Sequence, residues 1–90
     1  MATTIVWTKA FSKELKRQQK RGKNLAKLKT FLKILTDEKA PPKKYRDHSL
    51  IGNFKGCREC HIEPDWLLIY TKKDKNITLE RTGSHSDLFK

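Results

Sequence analysis

The period of the apolar residues changes once along this chain, and that change limits the fold more than any other feature. Leu25, Leu28, Leu32 and Leu35 recur at steps of three and four, with Phe31 and Ile34 widening the stripe, the spacing of one buried helix face. From Cys57 onward the period is two. Residues 57–62, 66–71 and 77–82 read as strands, joined by turns at Glu63-Pro64-Asp65 and at Lys73-Asp74-Lys75-Asn76. Ahead of the stripe, Thr3 to Trp7 is a β-branched and aromatic run that predicts a strand. Phe11 and Leu15 then share the face of a helix over about 8–21, capped at Thr8 or a neighbour and ended by a left-handed Gly22. Asn24 caps the second helix, which stops before Pro41-Pro42. Residues 40–56 read as loop. Gly83 breaks the last strand, and 84–89 form a tail with one helical turn. The order β-α-α-β-β-β predicts an α+β fold, one domain over residues 1–90, with two helices packed on one face of a mainly antiparallel sheet.

Charge is divided as sharply as periodicity. The chain has 90 residues and a formal net charge of +11. Residues 1–44 hold 13 Lys and Arg against 3 acids, whereas residues 45–90 hold 8 against 7. Each predicted helix therefore has one apolar and one cationic face. A surface of this kind binds polyanions without reading sequence, through counter-ion release from phosphates; its plain alternative is a solvated face. No apolar run approaches the ~18–20 residues of a membrane span, and the N-terminal MATTIVWTKAFSK lacks a charged-then-apolar export pattern. The expectation is a cytoplasmic protein with two free thiols.

Cys57-Arg58-Glu59-Cys60-His61 matches the C-x-x-C-H pattern of haem attachment. Strand geometry argues against it. Cys57 and His61 share a face while Cys60 points to the other, which also removes a dithiol redox site. A zinc site joining these cysteines with His48 or His85 stays open, although the spacing fits no closed four-ligand pattern. Packing is the expected role of both thiols, and no cofactor is expected.

All three histidines, His48, His61 and His85, lie in the less basic half. Singly, each reads as a surface or structural residue. Together with Asp65 and Trp66 just after His61, and Phe89 four residues beyond His85, they would furnish one cleft with imidazoles, a carboxylate and aromatic rings. Imidazole titrates nearest neutrality, so a pair can act as base and acid, and rings suit stacking on unpaired bases. The chemistry such a cleft suits is metal-independent RNA cleavage. A base removes the ribose 2′-OH proton, the 2′-oxygen attacks phosphorus, and an acid protonates the leaving 5′-oxygen. Arg81 could steady phosphorane charge, unless it pairs with an acid such as Glu80 or Glu59.

The string DHSLIGNFKGCRECHIEPDWLLIY (47–70), followed by ERTGSHSDLF (80–89), resembles the YafQ branch of the RelE/ParE toxin superfamily. The loop histidine, the His-x-x-x-Asp-Trp unit, the Arg-Thr-Gly-Ser-His tail and the terminal Phe occur in order; residues 1–44 resemble the branch only in length, helix pattern and basic character. The resemblance implies two basic helices on a curved antiparallel sheet. It implies a type II toxin that cleaves mRNA in the ribosomal A site, with basic helices on ribosomal RNA and a commonly acidic antitoxin as partner. Operator DNA would be a further partner, reached through the antitoxin complex. By position, His48, His61, Asp65 and His85 match the catalytic set, and Trp66 and Phe89 match residues lining the mRNA cleft. His85 is the first choice as acid and His48 as base, with His61 and Asp65 able to assist or exchange roles. Cys57 departs from the aromatic residue common at its position, and Lys90 is an addition. Two other classes compete: a non-catalytic RNA- or DNA-binding module, which would tolerate loss of His85, and a gyrase poison, whose representatives in the superfamily lack this His/Asp set.

Overall fold

A computed structural model describes residues 3–89; Lys90 lies outside the described residues. Strand β1 (Thr4–Trp7) leads into helix α1 (Lys9–Lys20). Thr8 is the N-cap: its hydroxyl accepts from the Phe11 N–H at 3.0 Å and donates to the Glu80 carbonyl at 2.8 Å, so one side chain starts the helix and ties it to the sheet. Gly22, at φ +88°, turns the chain after α1. Asn24 then caps helix α2 (Leu25–Thr36) by accepting from the Ala26 N–H at 2.9 Å. Both helices lie within the predicted spans.

The remaining strands are β2 (His48–Ser49), β3 (Arg58–Glu63), β4 (Trp66–Lys73) and β5 (Asn76–Gly83), followed by the short helix α3 (His85–Leu88). They form one five-stranded sheet in the order β1-β5-β4-β3-β2. Only the β1–β5 pair is parallel. Two expectations are corrected. Gly83 does not break the last strand but closes it, opposite Leu67. The segment 40–56 is not all loop, because His48 and Ser49 pair with Glu59 and Arg58. Register shifts between His61 and Glu63 and between Ile69 and Tyr70 bend the strands, as bulges do.

The two faces of the sheet are used differently. Against α1 and α2 lies the main core, where Phe11, Leu28, Phe31 and Leu35 meet Tyr45, Cys60, Trp66, Leu68, Tyr70, Ile77 and Leu79. The opposite face carries a smaller cluster of Leu67, Ile69 and Leu88 of α3, with Leu50, Phe54 and Cys57 packed beside it. Cys57 and Cys60 thus fall on opposite faces, as the alternation predicts. Both thiols are free, and burial pushes the Cys60 thiol far up, into inert packing.

Candidate functional site

Strand alternation puts Glu59 and His61 on the face away from the helices, where they pair with Ile69 and Leu67. The two residues of β2 then place His48 directly opposite Glu59. What precedes His48 fixes it there. Arg46 is left-handed, at φ 48°. Asp47 points to the helix side and accepts from Arg58 Nε at 2.6 Å and from the Tyr70 hydroxyl. That clamp anchors the loop through the core, and burial together with the Asp47 carboxylate pushes the Tyr70 phenol far up, so it stays a donor.

At the centre lies a residue that sequence reasoning cast only as an ion-pair partner. The Glu59 side chain is 6% exposed, and its Oε1 sits 3.5 Å from His48 Nε2 and 3.4 Å from His61 Nε2. Both imidazoles face a main-chain carbonyl with their other nitrogen: His48 Nδ1 meets the Arg46 carbonyl at 2.6 Å, and His61 Nδ1 meets that of Pro64 at 3.2 Å. A carbonyl only accepts, so each Nδ1 is the hydrogen-bearing nitrogen and each Nε2 faces the shared carboxylate.

His85 arrives from the other end of the sheet. Ser84 caps α3, accepting from the Asp87 N–H at 3.2 Å while its own N–H donates to Asp87 Oδ2 at 2.9 Å. Arg21 Nη1 donates to the same carboxylate at 2.7 Å. These contacts hold Asp87 far below the ordinary carboxylate range, the Arg21 bond first. His85 is thereby brought to Asp65, whose Oδ1 accepts from both its N–H and its Nδ1. The main-chain donor leads in lowering the Asp65 pKa. The His85 ring lies 5.7 Å from that of His61 and 6.2 Å from that of Phe89, which in turn meets Phe54 edge-on at 5.7 Å.

Thus His48, His61, His85, Asp65 and Phe89 converge on one face. His48 and His85 are about half exposed, whereas His61 is 11% exposed between them. Two predicted cleft residues do not join them. Trp66 has no exposed surface, packs in the helix-side core and donates through Nε1 to the Thr82 hydroxyl at 2.9 Å; it offers no face for stacking. Arg81 pairs with neither Glu80 nor Glu59, because Glu14 of α1 takes its guanidinium at 2.6–3.0 Å. Ligand atoms of Glu59, His61 and His85 lie within 4.8 Å of one another. Imidazole and carboxylate donors this close fit a divalent transition metal, a grouping that the cysteine-centred reading missed.

The chain as a whole resembles known proteins. Residues 3–90 match the family described as bacterial toxin of type II toxin-antitoxin system, YafQ. The mRNA interferase toxin YafQ of Escherichia coli K12 is 45% identical over 86 residues, 94% of each chain. The crystal structure of the E. coli DinJ-YafQ toxin-antitoxin complex contains a chain 43% identical, covering 100% of both, with a TM-score of 0.90. A metal-bound toxin from Helicobacter pylori is also 43% identical, covering 97% of this chain and 99% of its own, with a TM-score of 0.89. On the extent of these matches, the chain belongs to the YafQ family of type II toxin–antitoxin toxins.

Proposed function

We propose that this chain is an mRNA interferase, an endoribonuclease that cuts message in the ribosomal A site by metal-independent acid–base catalysis and so arrests translation. The observation that carries the reading is the convergence of His48, His61 and His85 with Glu59 and Asp65 on the sheet face opposite the helices. His48 and His85 are the two exposed imidazoles, which suits them to meet a strand as base and acid. His48 takes the 2′-OH proton, the 2′-oxygen attacks phosphorus, and His85 gives a proton to the leaving 5′-oxygen. The products are a 2′,3′-cyclic phosphate and a 5′-hydroxyl. Glu59 sets negative charge beside the imidazole that gains a proton, and Asp65 fixes the ring of His85. Phe89, 41% exposed, supplies a ring for stacking.

A divalent ion held by Glu59, His61 and His85 would supply Lewis-acid polarisation of a phosphoryl oxygen. It would also engage His85, the imidazole that the acid–base route needs as proton donor. The cationic faces of α1 and α2 suit contact with ribosomal RNA, placing the message by binding rather than by sequence. The DinJ-YafQ complex of the relative supports a cognate antitoxin as partner.

Primer extension on messages bound to programmed ribosomes tests the reading, with wild type and His85→Ala compared. Cuts in the A-site codon by wild type alone are expected. Ribosome binding without cuts by either protein would replace the nuclease with a binding module.

A further inference from the structure

Past Glu59 the edge of β3 has no partner strand, because β2 begins at His48 and is only two residues long. There, between the end of β3, α2 and the 3-10 turn Lys43–Tyr45, lies an open pocket of about 490 Å³. Lys27, Thr30, Lys44, Arg46, His61 and Glu63 line it. His61 belongs both to this pocket and to the histidine cluster, so the pocket adjoins the proposed reaction centre.

Its charges are unbalanced in a specific way. Glu63 already receives Lys27 Nζ at 2.7 Å and Lys23 Nζ at 2.9 Å. Lys44 and Arg46 have no carboxylate within ion-pair distance among the described residues. Lys44 is held through its side chain and Arg46 through its backbone. The Lys44 ammonium lies 5.2 Å over the ring of buried Tyr45, and the left-handed backbone of Arg46 is pinned by the donation of His48 Nδ1 to its carbonyl. Two cations without counter-charges, lining a pocket that shares His61 with the cluster, match a phosphodiester.

We infer that this pocket is a phosphate subsite for the RNA strand, binding a phosphodiester that flanks the scissile one through Lys44 and Arg46. The inference rests on the nuclease reading for the direction of the strand, and on the pocket alone for its ligand. Because a phosphate carries no base identity, the subsite holds the message in position without contributing codon preference.

The test uses the double variant Lys44→Gln/Arg46→Gln, with Lys72→Gln/Lys73→Gln as a control that removes the same charge at the far end of β4. Both pairs are exposed, and thermal unfolding checks that each variant folds as wild type does. Binding of a short single-stranded RNA oligonucleotide to the free toxin is measured against salt, and cleavage is measured on programmed ribosomes. The pocket variant is expected to bind the oligonucleotide about tenfold more weakly, with the salt slope reduced by about 1 per cation removed. Its KM rises while kcat holds, the control changes little, and binding to ribosomes without message stays at the wild-type level. Equal oligonucleotide binding by the pocket variant and wild type overturns the inference. If binding to message-free ribosomes falls instead, the phosphate belongs to ribosomal RNA and the message subsite is overturned. A wild type that binds the oligonucleotide through the pocket yet cuts nothing upholds the phosphate site and defeats the nuclease reading.

Discussion

One oxygen of Asp65 accepts two hydrogen bonds from His85, one from its main-chain N–H and one from its Nδ1, each 3.0 Å long. The carboxylate thereby fixes where α3 begins and which imidazole nitrogen carries hydrogen, leaving Nε2 as the atom that the proposed acid step would use. Asp65→Ala removes both constraints from a side chain that is 67% exposed, so the fold should survive. The expected outcome is a loss of about 10²-fold in single-turnover cleavage with thermal stability close to wild type. His85→Ala should lose at least as much. Near-normal cleavage by either variant would remove the pair from the mechanism.

Gly83 gives a second handle on the same helix. A Cβ at this position would stand 2.9 Å from Asp87 Cβ and 3.0 Å from its Oδ2. The end of β5 and the first turn of α3 meet there with no room for a methyl group. Gly83→Ala should push α3 outward and carry His85 from Asp65. Cleavage is expected to fall sharply while the protein remains folded. Unchanged activity would mean that Asp87 yields without moving His85.

Trp66 separates packing from recognition. Its ring lies wholly within the helix-side core, and its Nε1 hydrogen bond to Thr82 is buried. Trp66→Ala should cost about 3–5 kcal/mol, the range for truncating a buried aromatic. Trp66→Phe fills most of the volume and drops only the hydrogen bond. The phenylalanine variant, measured below its own melting temperature, should cut message at close to the wild-type rate. A large rate loss in a stably folded Trp66→Phe would return the indole to the cleft.

The residues that the sequence made legible are those whose role is local. Thr8 and Asn24 are capping types at the head of apolar stripes, and the period-two runs 57–62, 66–71 and 77–82 became β3, β4 and β5 to within two residues at each end. His48, His61, Asp65 and His85 stood out as titratable groups and came together. Glu59 did not stand out, because its role depends on a two-residue strand that apolar patterning cannot signal: only the pairing of His48 with Glu59 puts a carboxylate between two imidazoles. Trp66 misled for a related reason. It sits at the head of a strand beside a cleft residue, and neighbours along a strand point to opposite faces. Arg81 was assigned by charge, and the helix-borne Glu14, distant in sequence, takes it.

Acid should loosen the tail before the body of the fold. The folded-state pKa of Asp87 is depressed by Arg21 and then by the Ser84 N–H. A carboxylate of this kind contributes stability that is full above its unfolded value, ordinarily ~3.9, and is lost as pH falls through the lower folded value. Thermal unfolding of wild type against Asp87→Asn should therefore differ near neutral pH, and the gap should narrow as pH drops below about 4. A gap independent of pH would assign the effect to the capping geometry of α3 rather than to the charge.

Glu59, His61 and His85 could serve proton transfer or hold an ion. Their ligand atoms are close enough for one ion, yet the acid–base route needs His85 free to carry and give up a proton. Cleavage on programmed ribosomes depends on magnesium for the ribosome itself, so removal of metal is best tested on the toxin beforehand. Toxin stripped with a chelator and desalted should cut message at the untreated rate. Stoichiometric Cu²⁺ or Ni²⁺, which favour imidazole sites, should inhibit it, and Glu59→Gln should weaken that inhibition by removing an anionic ligand. The same variant should also cut more slowly without added metal, because a protonated His48 or His61 loses its charge partner at 3.4–3.5 Å. A stripped toxin that is inactive until an ion is restored would reverse the assignment and make these three residues a catalytic metal site.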